Sequence, residues 1–357
     1  MTLNFKINYR TVWGESIGVM IADQLVELST IDGEIWAGST DVELPKGGLP
    51  LLYRYGVYRD GQCIRKEQNS MAHVIENVSP NKKSLDLNDS WRDARRVAGV
   101  AVPVFSLRSE GSFGVGDFGD LKTLIDWAVA TKQTAVQILP INDTTITNTW
   151  QDSYPYNSIS IYAFHPQYVD LRQLPALKDE AKAAEYEQKR LELNALKQID
   201  YEKVNEVKRA YLHDIFEQEG KKTLASAAYK TFFANNEEWL RPYASYCVMR
   251  DQYKEPDFNR WPAYKTYNEE VAEVIFTPGS RSLKVAQFYL YIQYILHTQL
   301  LAASSYARAN NVILKGDIPI GISRASVESW VEPFYFNMNG SAGAPPDPFS
   351  ANGQNWG

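Results

Sequence analysis

The chain has 357 residues, of which 44% are hydrophobic and 22% are charged, and its net charge is −6. This composition is ordinary for a globular protein of two or three domains, and the acidic balance argues against a nucleic-acid partner. No apolar run reaches the roughly 18 residues of a membrane span, and the first residues contain no signal-peptide core. The two cysteines, Cys63 and Cys247, have no metal-ligand spacing, so we expect a reducing cytoplasmic compartment with no metal and no cofactor.

The first 85 residues are typical of short strands separated by turns. The segment LNFKINYR alternates, which places Leu3, Phe5 and Ile7 on one face of a strand. Asp60-Gly61 lies between two further strand-like runs and predicts a tight hairpin. We therefore predict an all-β sandwich over residues 1–85, with Trp13 and Trp36 supporting its core, and a polar linker over 86–94.

The pattern changes at about residue 95. The runs RVAGVAVPVFSL and TAVQILPI are continuously apolar, which is typical of strands buried on both faces. Between them, DLKTLIDWAVATK is an amphipathic helix with Asp120 predicted at its N-cap. Strand, helix and strand in this order indicate a βαβ unit and a parallel sheet.

Charged helical sequence then occupies residues from about 175 to 280, and we interpret it as an insertion. A long apolar-striped helix follows over 285–310, and NVILKGDIPI is a third buried strand. Three such strands predict an incomplete (β/α)8 TIM barrel over residues 95–357, interrupted by the helical insertion.

The segment SFGVGDFGD contains a Gly114-x-Gly116-x-x-Gly119 spacing, which can indicate a dinucleotide site. About seven residues separate the apolar strand from Gly114, whereas that motif turns directly after its strand. Asp117 would also place a carboxylate against a pyrophosphate. A flexible turn and a loop on the rim of a sugar cleft both remain open as interpretations.

The loops that follow the three apolar strands combine aromatic rings, amides and short acids. In a β/α barrel such loops form the active face, and this mixture suits a polyol, because each hydroxyl needs polar partners and each ring a flat apolar wall. The candidate substrate-binding residues are Asp143, Tyr154, Tyr156, Asn157, Asp317, Asp347, Phe349, Gln354 and Trp356. Asp143 and Asp317 each follow an apolar strand, and either could instead be a structural carboxylate. The histidines, expected to be structural, are His73, His165, His213 and His297.

Three long motifs resemble one known family in their order along the chain: VPVFSLRSEGSFGVGDFGDL, LPINDTTITNTWQDSYPYNSIS, and GDIPIGISRASVESW with GAPPDPFSANGQNWG. The family is the 4-α-glucanotransferases, or amylomaltases, of glycoside hydrolase family 77. The resemblance implies a (β/α)8 barrel that transfers α-1,4-glucan segments between maltooligosaccharides with retention of configuration.

The resemblance also implies roles for single residues. Tyr156 matches a tyrosine that lines the sugar subsites, and Asp317 matches an aspartate of the wider α-amylase clan. Asp347 and Phe349 match a loop that folds over bound glucan, and Trp356 matches the tryptophan that follows it.

The family's nucleophile and acid/base carboxylates are expected beyond residue 357, so no catalytic residue is assigned here. We expect the chain alone to lack transferase activity. The alternative is a non-catalytic α-glucan-binding protein. The first 85 residues resemble a family 20 starch-binding module through YRTVWGESIGV, DGEIWAG and YRYGVYRDGQCIRKE.

Overall fold

The structure is a computed structural model that describes residues 1–43, 50–67, 72–76, 82–92, 97–319 and 321–355. The chain divides into two compact units, residues 1–96 and 97–357. Both cysteines are free thiols, Cys63 exposed and Cys247 buried.

The first unit contains two sheets built from strands that alternate apolar and polar side chains. One sheet has the order β4-β5-β1-β9, and the other has the order β3-β2-β6-β7 with β8 beside β6. The strands described here are β1 (Thr2–Asn8), β2 (Ser16–Ile21), β3 (Gln24–Glu27), β4 (Ser29–Thr30), β5 (Ile35–Asp41), β6 (Leu51–Arg59), β7 (Gln62–Lys66), β8 (His73–Ile75) and β9 (Ser84–Ser90).

Both sheets contribute to one hydrophobic core. Leu3, Phe5 and Ile7 of β1 are buried on a single face, which confirms the alternation seen in the sequence. Trp36 is buried at 5% exposure, but the prediction that Trp13 also supports the core is wrong, because Trp13 is fully exposed at 101%. Trp13 lies on a turn outside the strands, where the alternation of buried and exposed side chains in the neighbouring strands does not apply.

The turn predicted at Asp60-Gly61 is confirmed, since it joins β6 to β7. Asp60 and Gly61 have φ values of 51° and 75°, the left-handed conformations that a two-residue hairpin requires. Part of the predicted linker is instead strand, because β9 pairs in parallel with β1 along its whole length. Leu85 and Leu87 pack against the core and explain why this polar-looking stretch is ordered into the sheet.

His73 is buried between two carboxylates of the first unit. Its Nε2 lies 3.2 Å from Glu67 Oε1 and its Nδ1 lies 3.3 Å from Asp89 Oδ1. Burial lowers the pKa of His73, but the hydrogen bonds with Asp89 and Glu67 outweigh burial, and its pKa is raised. Asp89 also accepts hydrogen bonds from the hydroxyls of Tyr53 and Tyr55, so the cluster connects strands β6, β8 and β9.

The second unit is built on a parallel sheet of three strands. These are β10 (Gly99–Ala101), β11 (Ala135–Gln137) and β12 (Ile313–Lys315), in that spatial order. The register places Val100 beside Val136 and Val136 beside Leu314. The predicted order of strand, helix and strand is confirmed, and all three strands end at the same edge.

The helices of the second unit lie before, within and after the predicted insertion of residues 175–280. They are α1 (Phe118–Ala130), α2 (Glu180–Asn194), α3 (Tyr201–Ala225), α4 (Ala227–Tyr253), α5 (Glu269–Ile275), α6 (Arg281–Ala309) and α7 (Val327–Val331). A small hairpin follows, formed by β13 (Gly343–Ala344) and β14 (Gln354–Asn355).

The N-cap of α1 is Asp117, so the prediction of Asp120 is wrong by one turn. Asp117 Oδ1 accepts hydrogen bonds from the backbone N–H groups of Gly119 and Asp120, and the Asp120 side chain accepts from the Asp117 N–H. This is a capping box, in which the second acid sits at the third helical position. Both aspartates therefore serve the helix start, and the sequence alone does not distinguish which of them begins it.

The prediction that the three parallel strands are buried on both faces is also wrong for the described residues. Val136 in β11 is fully buried against the helices, but Ile313 in β12 is 56% exposed. The helices pack on one face only, and the other face carries exposed or half-buried side chains.

The three glycines of the SFGVGDFGD segment are explained by close packing. A Cβ at Gly116 would lie 1.9 Å from the Val104 carbonyl oxygen, and one at Gly119 would lie 2.0 Å from Asp170 Oδ2. Gly114 has a φ of 80°, which favours glycine for backbone reasons. The segment thus joins β10 to α1 by a turn that is packed tightly against its neighbours.

Candidate functional site

The loops that follow β11 and β12 meet at the edge where those strands end. The Tyr156 hydroxyl donates to Asp317 Oδ2 at 2.9 Å, although the two residues are 161 positions apart in the chain. Asp317 Oδ1 accepts from the N–H of Ile318 at 2.9 Å, which holds the carboxylate in place. The hydrogen bond to Asp317 raises the pKa of Tyr156, so the phenol remains protonated and continues to donate.

A second set of contacts joins the same two loops through α7. Glu328 Oε1 accepts from the Ser160 hydroxyl at 2.7 Å and from the Ile161 N–H at 3.1 Å. The Val327 N–H donates to the Ile159 carbonyl at 2.8 Å. The two loops are therefore fixed to each other both at Tyr156 and four residues farther along.

An open cavity of about 730 Å³ lies between these loops. One wall carries Tyr154 and Tyr156, whose ring centres are 5.6 Å apart, and the adjacent side chain of Asn157. The other residues that line it are Gly321, Ile322, Ser323, Arg324, Phe336, Asn337, Met338, Gly340, Ser341 and Ala342. The lining thus combines aromatic rings with amides, hydroxyls and one guanidinium group, and its volume suits a small-molecule ligand.

Of the predicted site residues, Tyr154, Tyr156 and Asn157 line the cavity, and Asp317 contacts it through Tyr156. Asp143 lies elsewhere, buried at the start of its loop. Its Oδ2 accepts from the Tyr243 hydroxyl at 2.7 Å and its Oδ1 accepts from the Thr145 N–H at 2.9 Å. This carboxylate faces the interior, and the geometry gives its predicted sugar contact no support.

Asp347, Phe349 and Gln354 belong to the hairpin after the cavity and do not line it. Asp347 Oδ1 accepts from the backbone N–H groups of Phe349 and Ser350, so it shapes the turn. Phe349 is 98% exposed, and Gln354 pairs with Ala344 in the hairpin. Trp356 lies outside the described residues.

The helical insertion anchors the loop after β11. Sequence analysis did not predict this anchoring. Arg250 of α4 is buried and donates to the Thr145 carbonyl at 2.6 Å. The same guanidinium donates to Asp251 Oδ1 at 3.1 Å and to the Tyr289 hydroxyl at 3.1 Å. A buried charge of this kind is stable only when it is paired and hydrogen-bonded, so the loop and two helices are held as a unit.

Sequence analysis also missed Arg324 and Asn337 as cavity residues. Both belong to the chain that follows the third apolar strand, and they are a cation and an amide among aromatic and small residues. The mixture of side chains that indicated the other candidates was therefore present here too, but no strand end marked these positions.

None of the described residues that line the cavity carries a carboxyl group. Within the ranges that the structure describes, no group of three or more His, Cys, Asp or Glu side chains is arranged to hold a metal ion. The described helices also include none with the length and apolar content needed to span a membrane. The rings, amides and hydroxyls of the lining can bind a polar ligand through stacking and hydrogen bonds.

A cavity formed by the loops after the parallel strands of a β/α unit is the position where β/α-barrel proteins build their ligand sites. The family model for 4-alpha-glucanotransferase, glycoside hydrolase family 77, matches residues 102–357. The chain belongs to this family.

Two curated relatives agree with this assignment. The chain is 40% identical over 341 residues to the 4-alpha-glucanotransferase DPE2 of Oryza sativa subsp. japonica, a match that covers 93% of the chain and 35% of that protein. It is 34% identical over 259 residues to the 4-alpha-glucanotransferase of Chlamydia muridarum, covering 72% of the chain and 47% of that protein. The chain therefore spans less than half the length of these two relatives.

Two solved structures share the fold. The amylomaltase from Streptococcus agalactiae in complex with acarbose matches with a TM-score of 0.60 and 24% identity, over 74% of the chain and 52% of that structure. The amylomaltase from Corynebacterium glutamicum matches with a TM-score of 0.58 and 17% identity, over 99% of the chain and 48% of that structure.

The buried hydrogen bond between Tyr243 and Asp143 gives a direct test of how the loop after β11 is anchored. We expect Tyr243→Phe to lower the free energy of unfolding of the second unit by about 1–3 kcal/mol, because a buried carboxylate loses a donor. Urea denaturation followed by circular dichroism measures the change.

Tyr306→Phe is the matched control, because its hydroxyl bonds Asp126 on the surface at 2.5 Å. This variant should change stability much less. Equal effects of the two substitutions would show that burial of the Asp143 bond has no special role.

Proposed function

We propose that the cavity between the loops after β11 and β12 binds α-1,4-glucan. We also propose that the chain is part of a 4-α-glucanotransferase that acts on maltooligosaccharides. The observation that carries the proposal is the pair of rings of Tyr154 and Tyr156 beside a carboxylate held by Tyr156. Family membership and the names of the relatives support it.

The chemistry of the cavity fits a glucosyl chain. The apolar faces of pyranose rings stack on aromatic side chains, and their hydroxyls need both donors and acceptors. Asn157 and Asn337 line the cavity and offer amide groups that can do both. Asp317, which contacts the cavity through Tyr156, offers an acceptor. The same lining gives no reason to prefer an anionic or wholly apolar ligand.

The described cavity is a binding region rather than a complete reaction centre. Retaining transfer needs two carboxyl groups about 5–5.5 Å apart across the scissile bond, and no described lining residue carries one. We therefore assign Tyr154, Tyr156, Asn157 and Asp317 to substrate binding. The hairpin residues Asp347, Phe349 and Gln354, together with Trp356, remain proposed contacts on the basis of the family resemblance.

Substitution of Tyr156 tests this proposal. Tyr156→Phe keeps the ring but leaves Asp317 without its side-chain donor, so we expect the affinity for maltoheptaose to fall roughly three- to tenfold, as for the loss of one hydrogen bond. Isothermal titration calorimetry of the 357-residue chain measures the dissociation constant.

Tyr186→Phe is the matched control, since its hydroxyl bonds Asp214 Oδ2 at the same 2.9 Å outside the cavity. It should leave affinity unchanged. Absence of any maltoheptaose binding by the unsubstituted chain would sink the proposal. Binding with no transfer activity in the whole protein would favour the non-catalytic alternative.

We propose separately that the first unit binds starch, as its resemblance to a family 20 module suggests. Trp13 is fully exposed on a turn that is held by the hydrogen bond from the Thr11 N–H to the Gly33 carbonyl at 3.1 Å. Val12 and Ile31, on the same two turns, are also exposed. An exposed indole with exposed apolar side chains on the same two turns is a suitable platform for a sugar ring.

For this unit we expect Trp13→Ala to reduce the fraction of protein bound to starch granules several-fold, because stacking of a sugar ring on the indole would be lost. Sedimentation of granules with the 357-residue chain measures it. Trp127→Ala, which removes a partly exposed indole from α1 in the second unit, is the control and should bind as before. If both variants bind equally, Trp13 is not the platform.

A further inference from the structure

Arg324 connects two of the segments that line the cavity. It follows β12 by nine residues of loop, and its guanidinium crosses to the segment that precedes the β13–β14 hairpin. It donates to the carbonyls of Met338 and Gly340, the latter at 2.6 Å, and to the Ser341 hydroxyl at 3.1 Å. One exposed side chain thus bonds three acceptors within the segment 338–341.

The segment that Arg324 holds has few other attachments. Residues 338–353 contribute no side chain to the hydrophobic cores described for this unit. Their other hydrogen bonds in the described chain stay local, as in the turn where Asp347 Oδ1 accepts from the N–H groups of Phe349 and Ser350. The hairpin ladder joins Gly343 and Ala344 only to Asn355 and Gln354. The bonds from Arg324 are therefore the described hydrogen bonds that join residues 338–353 to the loop after β12.

The chemistry of the side chain suits this task. The hydrogen bonds described for the Arg324 guanidinium go to oxygens of the segment 338–341, two of them backbone carbonyls. A guanidinium carries five donors in a rigid planar fork, whereas an ammonium group is a compact point charge on a flexible stem. Lysine also has three donors, but they radiate from one atom, so the arginine fork is better matched to acceptors spread over several residues.

We infer that Arg324 is a positioning residue that sets the width of the cavity by holding the segment 338–341 against the loop after β12. This inference rests on the proposed function, because the cavity is taken to accept glucan. A glucan chain between the walls would contact Tyr154 and Tyr156 on one side and the held segment on the other. Arg324 thereby also fixes where the hairpin, with its exposed Phe349, begins.

Hydrogen exchange of the intact 357-residue chain tests the positioning role without any ligand. In Arg324→Met, we expect amides of residues 338–355 to exchange about 5- to 30-fold faster, the factor that corresponds to 1–2 kcal/mol. Arg324→Lys should restore part of the protection, and peptides from α6 should not change. Arg260→Met is the control, because Arg260 contacts Glu255 and Asp257 on the surface.

Calorimetry with maltoheptaose on the same variants tests the link to binding. Affinity should decrease in the order unsubstituted chain, Arg324→Lys, Arg324→Met, with the melting temperature unchanged. Unchanged exchange at 338–355 in Arg324→Met overturns the inference, and so does faster exchange with unaltered affinity. Failure of the unsubstituted chain to bind maltoheptaose overturns the proposed glucan function, and the exchange result then still decides whether Arg324 holds the segment.

Discussion

Parallel pairing of β10, β11 and β12 brings together loops that are far apart in the chain. Because parallel strands run in one direction, the segments that leave them emerge at a single edge. Tyr156 and Asp317 meet there at hydrogen-bond distance across 161 positions of sequence. The contact between Tyr156 and Asp317 depends on this register, since a shift of one residue in β12 would turn its side chains to the opposite face.

The helical insertion supports the loop that follows β11. Asp143 and Arg250 are buried, and each is satisfied by partners from a different part of the second unit. Leaving one buried polar group without its partner costs about 1–3 kcal/mol, so these networks penalise other conformations of the loop. The insertion is therefore a support for Tyr154 and Tyr156 rather than only a covering for the sheet.

Much of the fold could be predicted from the sequence, because local patterns carry it. Alternation placed Leu3, Phe5 and Ile7 in the core, and Asp60-Gly61 specified its own hairpin through left-handed backbone. The predictions that failed concern what surrounds a residue. Trp13 is apolar yet exposed, and Ile313 belongs to an apolar strand with one uncovered face. The spacing of apolar residues along the chain does not encode either exposure.

Predictions for the candidate site also held where a local pattern was enough and failed where the surroundings of a residue decide its role. Strand ends marked Asp317, but they also marked Asp143, which burial directs into the interior. Tyr156 was indicated instead by the aromatic and polar composition of its loop and by the family resemblance. Arg324 escaped notice because its role depends on acceptors that the fold brings across the cavity.

The central claim is that the loops after β11 and β12 form one glucan-binding site. A crystal structure of the 357-residue chain with bound maltoheptaose tests it most directly. The account predicts glucosyl rings stacked against Tyr154 and Tyr156, with a sugar hydroxyl within hydrogen-bond distance of Asp317. Sugar bound elsewhere on the second unit, with this cavity empty, would contradict it.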